Sequence, residues 1–266
     1  MDKALIVGTG FSANIHKEAY EMLGYEVFMV EDRFSIYTAI NEITSGEYKA
    51  VSLCNSPKNR TKIIEHLLSC RYNYNFPDLL VIEKPPILPT NMALSKFNSL
   101  INKYEQLCKD VVVVHNYLYQ SWVEDIDLPL EVAILRNGPH RGWYVDTSLT
   151  GGGILLDHGY HWFYIYTHYG GDLDSLNITI DNYPDFESTI SGKDFKCFLT
   201  WKSPLRLTYV NGSIVEPRSK KEQIMSVYNL IKDVDSHGEI NAVACEVMER
   251  IIDVYKGYSH MLPRDI

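Results

Sequence analysis

Five short apolar runs in the first 118 residues constrain the fold more than any other feature. The runs, which read as strands, are residues 4–7, 26–30, 49–54, 79–82 and 111–114. The segments between them have the apolar periodicity of helices. Strands that alternate with helices form a parallel sheet, because the chain crosses over before it pairs again in the same direction. The sequence therefore predicts an α/β domain with a doubly wound parallel sheet over residues 1–118.

The turn after the first strand has a pattern typical of dinucleotide binding. Gly8, Gly10 and Ala13 form a Gly-x-Gly-x-x-Ala turn between a strand and a helix, which is the context of a Rossmann fingerprint. Gly8 permits the turn, and Gly10 permits the approach of a pyrophosphate, which lies at the positive end of the helix. The predicted cofactor contacts here are Gly8, Gly10, Phe11, Ser12 and Ala13.

Polar residues at later strand ends extend this predicted cofactor site. Asp32 follows the second strand, where a carboxylate accepts hydrogen bonds from the adenosine ribose and repels a 2′-phosphate, which favours NAD. Arg33 can instead pair with that phosphate or lie in solvent, so NADP stays open. Asn55 and Ser56, after the third strand, are assigned to the cofactor rim.

Glu83, Lys84 and two prolines follow the fourth strand. Pro85 ends the strand pairing and is expected to keep Lys84 extended. An ammonium group at the mouth of the sheet can orient an amide or polarise a hydroxyl, although a surface lysine is the alternative. Glu83 and Lys84 are counted as cofactor contacts. Asn116, after the fifth strand, is a candidate substrate contact.

The pattern changes after residue 119. Alternating stretches at 131–135, 176–180, 195–201 and 205–210 favour a largely antiparallel sheet, with one face covered by helix. Helices are predicted over 154–168 and 240–255, and a loop over 212–221. The predicted domains are residues 1–118 and residues 119–266, an α+β domain with an open-faced sheet.

A glycine run, Gly151–Gly153, precedes Asp157 and His161. On an α-helix the last two lie on one face, where the carboxylate can orient the imidazole for acid/base work. The alternative is a helix start with a satisfied core histidine. His158 and His161 could also ligate a metal ion, but no third ligand is grouped with them.

Composition narrows the range of partners. The formal net charge of -9 and the absence of dense Lys/Arg patches argue against nucleic acid. Five widely spaced cysteines without a Cys-x-x-Cys pair favour a reduced cytoplasmic protein. No apolar run reaches the length of a membrane helix.

Three motifs in order resemble the glucose-fructose oxidoreductase, inositol dehydrogenase and MocA family. They are the glycine turn at residues 8–13, Glu83-Lys84-Pro85, and the Gly-Gly-Gly-x-x-x-Asp-x-Gly-x-His pattern over residues 151–161. The resemblance covers nearly the whole chain. It implies a Rossmann domain plus an open-faced sheet domain, with substrate held between the nicotinamide and the sheet.

The resemblance also implies an activity and a catalytic set. The expected reaction is NAD(P)-dependent hydride transfer between nicotinamide and a secondary alcohol or carbonyl of a sugar, cyclic polyol or related compound. Lys84, Asp157 and His161 are the implied catalytic residues. A histidine suits the proton transfer because its ordinary pKa is near neutrality. Asp157 would hold a substrate hydroxyl, and Lys84 would stabilise charge on the reacting oxygen.

Some positions depart from the family pattern. Thr61 stands where the family usually has a histidine, and Leu118 where it often has an arginine. Together with a short second domain, these changes motivate an alternative, a nicotinamide-binding sensor or regulatory protein without turnover.

Just before the glycine run, the candidate substrate contacts are Trp143, Tyr144 and Asp146, with His140 and Arg141 as further candidates. A homodimer or homotetramer through the second sheet is expected.

Overall fold

The computed structural model describes most of the 266 residues. The described ranges are 1–31, 36–70, 76–115, 117–119, 123, 126–139, 146–181, 184–215 and 219–258. Within them, no helix is long and apolar enough to cross a membrane. All five cysteines are free thiols.

Contacts divide the chain into two compact units. The first comprises Met1–Leu88, Met92–Gln120 and Ser219–Ala242, and the second comprises Pro89–Asn91, Ser121–Arg218 and Val243–Ile266. The predicted domains are residues 1–118 and 119–266, and the grouping differs from them mainly near the carboxyl terminus, besides placing the short segment Pro89–Asn91 with the second unit. It places a segment near the carboxyl terminus, Ser219–Ala242, with the first unit.

The first unit is built on a five-stranded parallel sheet, which confirms the predicted doubly wound α/β class. Its strands and helices are β1 (Lys3–Val7), α1 (Phe11–Met22), β2 (Glu26–Val30), α2 (Ile36–Ile43), β3 (Ala50–Leu53), α3 (Pro57–Ser69), β4 (Leu79–Ile82), α4 (Asn91–Gln106) and β5 (Asp110–Val113). The strand order is β2-β1-β3-β4-β5. Strand β3 is buried throughout and β1 and β4 nearly so, because helices cover both faces of the sheet.

The segment from the far end of the chain completes this unit. Helix α7 (Lys220–Lys232) packs on α1. Asn241 lies in α8 (His237–Lys256) and binds the edge strand β5. Its Oδ1 accepts from the Val113 amide at 3.2 Å, and its Nδ2 donates to the Val111 carbonyl at 2.6 Å. The asparagine therefore takes hydrogen bonds that a further strand would make.

The second unit contains a six-stranded mixed sheet with the order β11-β10-β6-β9-β8-β7. Its strands are β6 (Leu130–Asn137), β7 (Asn177–Ile180), β8 (Glu187–Ser191), β9 (Phe195–Thr200), β10 (Lys202–Val210) and β11 (Ser213–Ile214). All neighbouring strands are antiparallel except the pair β6 and β9. The predicted, largely antiparallel sheet is confirmed.

The helix expected over residues 154–168 is not a regular α-helix. After the short helix α5 (Thr147–Thr150), residues Leu155–Gly159 form a π-helical turn, and α6 spans Tyr160–His168. A π turn pairs residues five apart, which changes the angular spacing of side chains. The argument from α-helical spacing for Asp157 and His161 therefore does not apply at this turn.

Candidate functional site

The turn between β1 and α1 has the geometry that a dinucleotide turn requires. Gly8 has a backbone φ of 120°, in the region that favours glycine. A Cβ atom at Gly8 would lie 3.0 Å from the carbonyl oxygen of Cys54, so a side chain there would be tightly crowded. Helix α1 begins after Gly10 without a side-chain cap and has no acidic residue in its first turn. Its amino-terminal end is therefore suited to an anion.

The structure adds one acidic residue to this turn. Glu31 directly follows β2, and its Oε1 accepts a 3.5 Å hydrogen bond from the Thr9 hydroxyl. The sequence pointed to Asp32, the next residue, which lies outside the described residues and stays a prediction. The available signal was the position of Glu31 as the first residue after the apolar strand, where a ribose-binding carboxylate is expected.

Ser56 and Thr61 both take part in fixing helix α3. Ser56 is the residue before the helix, and its Oγ accepts from the Asn59 amide at 3.4 Å. Thr61 donates to the Pro57 carbonyl at 2.9 Å and accepts from the Leu88 amide at 3.1 Å. Thr61, which stands where the family usually has a histidine, therefore links α3 to the segment that follows Pro85 and Pro86.

The Glu83 carboxylate is held on both of its oxygens. Oε1 lies 3.1 Å from Nε2 of His16, and Oε2 accepts from the backbone amide of Lys84 at 3.1 Å. The Glu83 carbonyl accepts from the guanidinium of Arg60. Burial raises the pKa of Glu83, but the hydrogen bond from His16 and the charges of His16, Arg60 and Lys84 outweigh it and leave the pKa below its ordinary value.

Lys84 lies directly after this braced carboxylate and is partly buried. The Lys84–Pro85 peptide bond is cis. Glu83 and Lys84 were predicted from their position after a strand, and their functional roles stay predictions. His16 was not predicted as a partner of Glu83, because a histidine on the buried face of a helix gives no local signal of a distant partner.

In the second unit, the glycine run is explained by the close approach of other chain segments. A Cβ atom at Gly153 would lie 2.1 Å from the Asp185 carbonyl oxygen, and one at Gly152 would lie 2.7 Å from the Tyr255 hydroxyl. These distances show that Gly152 and Gly153 leave room for Tyr255 and Asp185.

Asp185 caps the start of the π turn from a distant part of the chain. Its carboxylate accepts from the amides of Gly153 at 3.1 Å and Leu155 at 2.7 Å. It also accepts from the hydroxyls of Ser188 at 2.6 Å and Tyr255 at 2.8 Å. Burial raises the pKa of Asp185, although these hydrogen bonds work in the opposite direction. Nothing in the local sequence indicated this role.

The candidate acid/base residues are all buried in the second unit. Asp157 lies in the π turn, with its Oδ2 atom 3.6 Å from Nε2 of the adjacent His158. His161 is in the first turn of α6, with its ring edge-on to that of Tyr160. Their proposed roles in catalysis stay predictions.

Several predicted contacts lie outside the described residues. They are Asp32, Arg33, Asn116, His140, Arg141, Trp143 and Tyr144. Asp146 is described and exposed, and its carbonyl accepts from the amides of Leu149 and Thr150. Within the described ranges, no group of three or more His, Cys, Asp or Glu side chains is placed to hold a metal ion.

No protein-family model matches the sequence, and no curated protein is significantly similar to it. Solved structures match it over nearly its full length. GenD2 from gentamicin A biosynthesis, in complex with NAD, has a TM-score of 0.69 at 13% identity, over 97% of this chain and 95% of its own. The chain has the fold of NAD-binding oxidoreductases. This confirms the fold that the family resemblance implied.

Two further matches differ from each other in function. The WlbA (WbpB) dehydrogenase from Thermus thermophilus, in complex with NAD and UDP-GlcNAcA, has a TM-score of 0.66 at 16% identity, over 95% of both chains. A super-repressor mutant of Gal80p from Saccharomyces cerevisiae has a TM-score of 0.70 at 10% identity, over 98% of this chain and 97% of its own. Identities this low show a common fold.

Proposed function

We propose that this protein is an NAD(P)-dependent oxidoreductase. It transfers a hydride between nicotinamide and a secondary alcohol or carbonyl of a sugar, cyclic polyol or related hydroxy compound. The observation that carries the proposal is the turn from Gly8 to Gly10, which lies between a buried parallel strand and an uncapped helix. The glycines, the helix start and the adjacent Glu31 fit the pyrophosphate and ribose of a dinucleotide.

The proposed catalytic residues match the needs of alcohol oxidation. Bound nicotinamide supplies the hydride chemistry. His161 takes the hydroxyl proton, and Asp157 holds a substrate hydroxyl and influences the charge of His161. Lys84 stabilises negative charge on the reacting oxygen and helps place the nicotinamide amide. The support for Lys84 is its position after the braced Glu83 at the carboxyl end of β4.

NAD is the expected cofactor. Glu31 and Asp32 place two successive carboxylates after β2, and a carboxylate there repels a 2′-phosphate. Arg33 is the residue that would favour NADP. A strong preference for NADPH over NADH in binding would show that Arg33 governs the site.

A substrate screen tests the oxidoreductase proposal. Sugars, polyols and sugar phosphates are incubated with protein and NAD⁺ or NADP⁺, and reduced nicotinamide is followed by absorbance. We expect at least one substrate, with turnover reduced by a factor of about 100 or more in Lys84→Met and in His161→Asn. Circular dichroism checks that both variants fold. Full turnover in both would remove these residues from the mechanism.

The alternative is a nicotinamide-binding regulatory protein without turnover. The similarity to Gal80p, described as a super-repressor mutant, favours it, as does the departure at Thr61. The two functions separate cleanly by experiment, because a regulator binds NADH but reduces no cofactor with any compound of the screen.

We also infer a homodimer or homotetramer that forms through the second sheet, in the cytoplasm. Along β6, Val132 and Ile134 are buried, whereas Ala133 and Leu135, on the opposite face, are half-buried. Phe198 and Tyr209, on the neighbouring strands, pair with Ala133 and continue this apolar surface. A second copy would cover it. Light scattering should show a dimer or tetramer for the wild type and a smaller species for Leu135→Glu.

A further inference from the structure

A chain of buried polar side chains crosses the first unit. The Tyr20 hydroxyl lies 3.0 Å from Ser52 Oγ, and Ser52 Oγ lies 2.9 Å from Nδ1 of His16. Nε2 of His16 lies 3.1 Å from the Glu83 carboxylate. The chain joins α1, which carries Tyr20 and His16, to the ends of β3 and β4.

The chemistry of the end group sets the direction of these hydrogen bonds. An ionised Glu83 only accepts, so Nε2 of His16 carries the proton. With the ring proton on Nε2, Nδ1 can accept from the Ser52 hydroxyl, and Ser52 in turn accepts from Tyr20. Burial raises the pKa of Tyr20, which keeps its phenol protonated as a donor. Every member is then satisfied, and a fully satisfied buried network is rigid.

Ser52, His16 and Glu83 have the connectivity of a nucleophilic serine, histidine and acid triad. Both Ser52 and His16 are 0% exposed. A substrate therefore has no access to the hydroxyl, and nucleophilic catalysis does not explain the arrangement. What the chain does reach is the backbone of Lys84, because the second oxygen of Glu83 accepts the Lys84 amide.

We propose that His16 is a positioning residue for Lys84. It holds the Glu83 carboxylate, and through Glu83 it fixes the backbone of Lys84 against α1, the helix that begins at the glycine turn. The catalytic role of Lys84 rests on the proposed function. The coupling of His16 through Glu83 to Lys84 can be measured on the protein alone.

Two substitutions of His16 separate its two hydrogen bonds. In His16→Gln the amide nitrogen reaches the place of Nε2, so the bond to Glu83 is kept and the bond to Ser52 is lost. In His16→Asn the shorter amide reaches the place of Nδ1, so the bond to Ser52 is kept and the bond to Glu83 is lost. Ser52→Ala is a further control, because it leaves the contact between His16 and Glu83 in place.

The readout is the reactivity of the Lys84 amine in the full-length protein without cofactor. Trace acetylation with isotopic acetic anhydride at several pH values is measured by peptide mass spectrometry, with the exposed Lys193 as internal reference. Without its histidine donor, the Glu83 carboxylate can move closer to Lys84, one of the cations whose charge acts on it. A closer carboxylate stabilises the ammonium form, which does not react with the anhydride. We expect labelling of Lys84 to slow by about threefold to tenfold in His16→Asn.

His16→Gln and Ser52→Ala should label Lys84 within about twofold of the wild type, since a tenfold change corresponds to a full pKa unit. Equal labelling in all four proteins, or equal slowing in the Asn and Gln variants, would overturn the proposal. If His16→Asn does not fold, Glu83→Asp withdraws the carboxylate from His16 and carries the same expectation.

An NADH titration of the same proteins keeps the two proposals apart. Wild-type protein that fails to bind NADH but shows the expected labelling pattern removes the dinucleotide site and leaves the coupling in place. Normal NADH binding with unchanged labelling in every variant removes the coupling and leaves the dinucleotide site.

Discussion

Two carboxylates, the partly buried Glu83 and the buried Asp185, brace the two candidate catalytic segments in different electrostatic surroundings. Glu83 precedes Lys84 and faces groups that are charged or can become charged, namely His16, Arg60 and Lys84. Asp185 caps the turn that carries Asp157, and its side chain accepts from two amides and two hydroxyls. Charged neighbours therefore stabilise the Glu83 carboxylate, whereas neutral hydrogen-bond donors stabilise that of Asp185.

The difference appears in the pKa of each group and in the local packing. The pKa of Glu83 is lowered, whereas burial raises that of Asp185. Around Asp185 the fit is also steric, because Gly153 leaves no room for a Cβ atom. The second unit therefore positions its candidate residues by shape and neutral hydrogen bonds, and the first unit positions Lys84 by an electrostatic chain.

The largest expected effect tests the steric part of this contrast. Gly153→Ala puts a Cβ atom 2.1 Å from a backbone oxygen, so the backbone has to move. We expect the free energy of unfolding to fall by at least about 3 kcal/mol in urea titrations. Gly238→Ala, in helix α8 with no atom within 4 Å of the added Cβ, is the matched control and should be neutral or stabilising. Equal changes in unfolding free energy for the two variants would contradict the steric explanation of Gly153.

Removing the neutral-donor brace is the next largest effect. Asp185→Ala leaves the buried amide of Leu155 without its acceptor and the amide of Gly153 with only the longer bond to the Tyr255 hydroxyl, and should lower the free energy of unfolding by about 3 kcal/mol. Asp181→Ala is the matched control in the same part of the chain. It also loses two amide hydrogen bonds, but in an exposed setting where water replaces them. A smaller loss for Asp185→Ala than for Asp181→Ala would contradict this account.

Asn241 tests whether the first unit also depends on a single neutral side chain. Asn241→Ala removes both hydrogen bonds to β5 and should cost about 2 kcal/mol of unfolding free energy. Asn229→Ala, in α7, has no side-chain hydrogen bond to lose among the described residues and should change stability by less than about 0.5 kcal/mol. Similar losses of unfolding free energy in both variants would show that helix packing alone, without the Asn241 hydrogen bonds, stabilises the edge strand β5.

The smallest effect is a difference in pH dependence. The lowered pKa of Glu83 contributes stability that is present above its ordinary value of 4.5 and is lost as pH falls through the lower folded value. The stability gap between wild type and Glu83→Gln should therefore close on acidification.

For Asp185 the pH dependence has the opposite sign, because its pKa is raised above 3.8. The gap between wild type and Asp185→Asn should widen as pH falls. Urea titrations across pH 3 to 7 measure both trends, and parallel curves would refute the electrostatic contrast.

Much of the fold was predictable because its signals are local. The apolar strands of the first unit and the helical periodicity between them identified the parallel sheet. Strand β8 was missed because Glu187–Ser191 contains a single strongly apolar residue. Helix α7 was also missed, and its clearest signal is the capping box of Ser219 and Glu222.

The candidate site was predictable only where it follows strands. The glycine turn and Lys84 come directly after apolar runs, so their place at the sheet edge could be inferred. His16 contacts Glu83, which is 67 residues away in the sequence, and Asp185 accepts from Leu155, which is 30 residues away. Only the folded chain brings such groups together, and the π turn that alters the spacing of Asp157 has no sequence signature.

The central claim, a dinucleotide site at the glycine turn, is tested most directly by titrating the full-length protein with NADH and following nicotinamide fluorescence. The account predicts saturable binding with a dissociation constant below about 1 mM, the usual upper range for enzyme ligands. It also predicts weaker binding of NADPH. No saturable signal with either nucleotide over that range would contradict the claim.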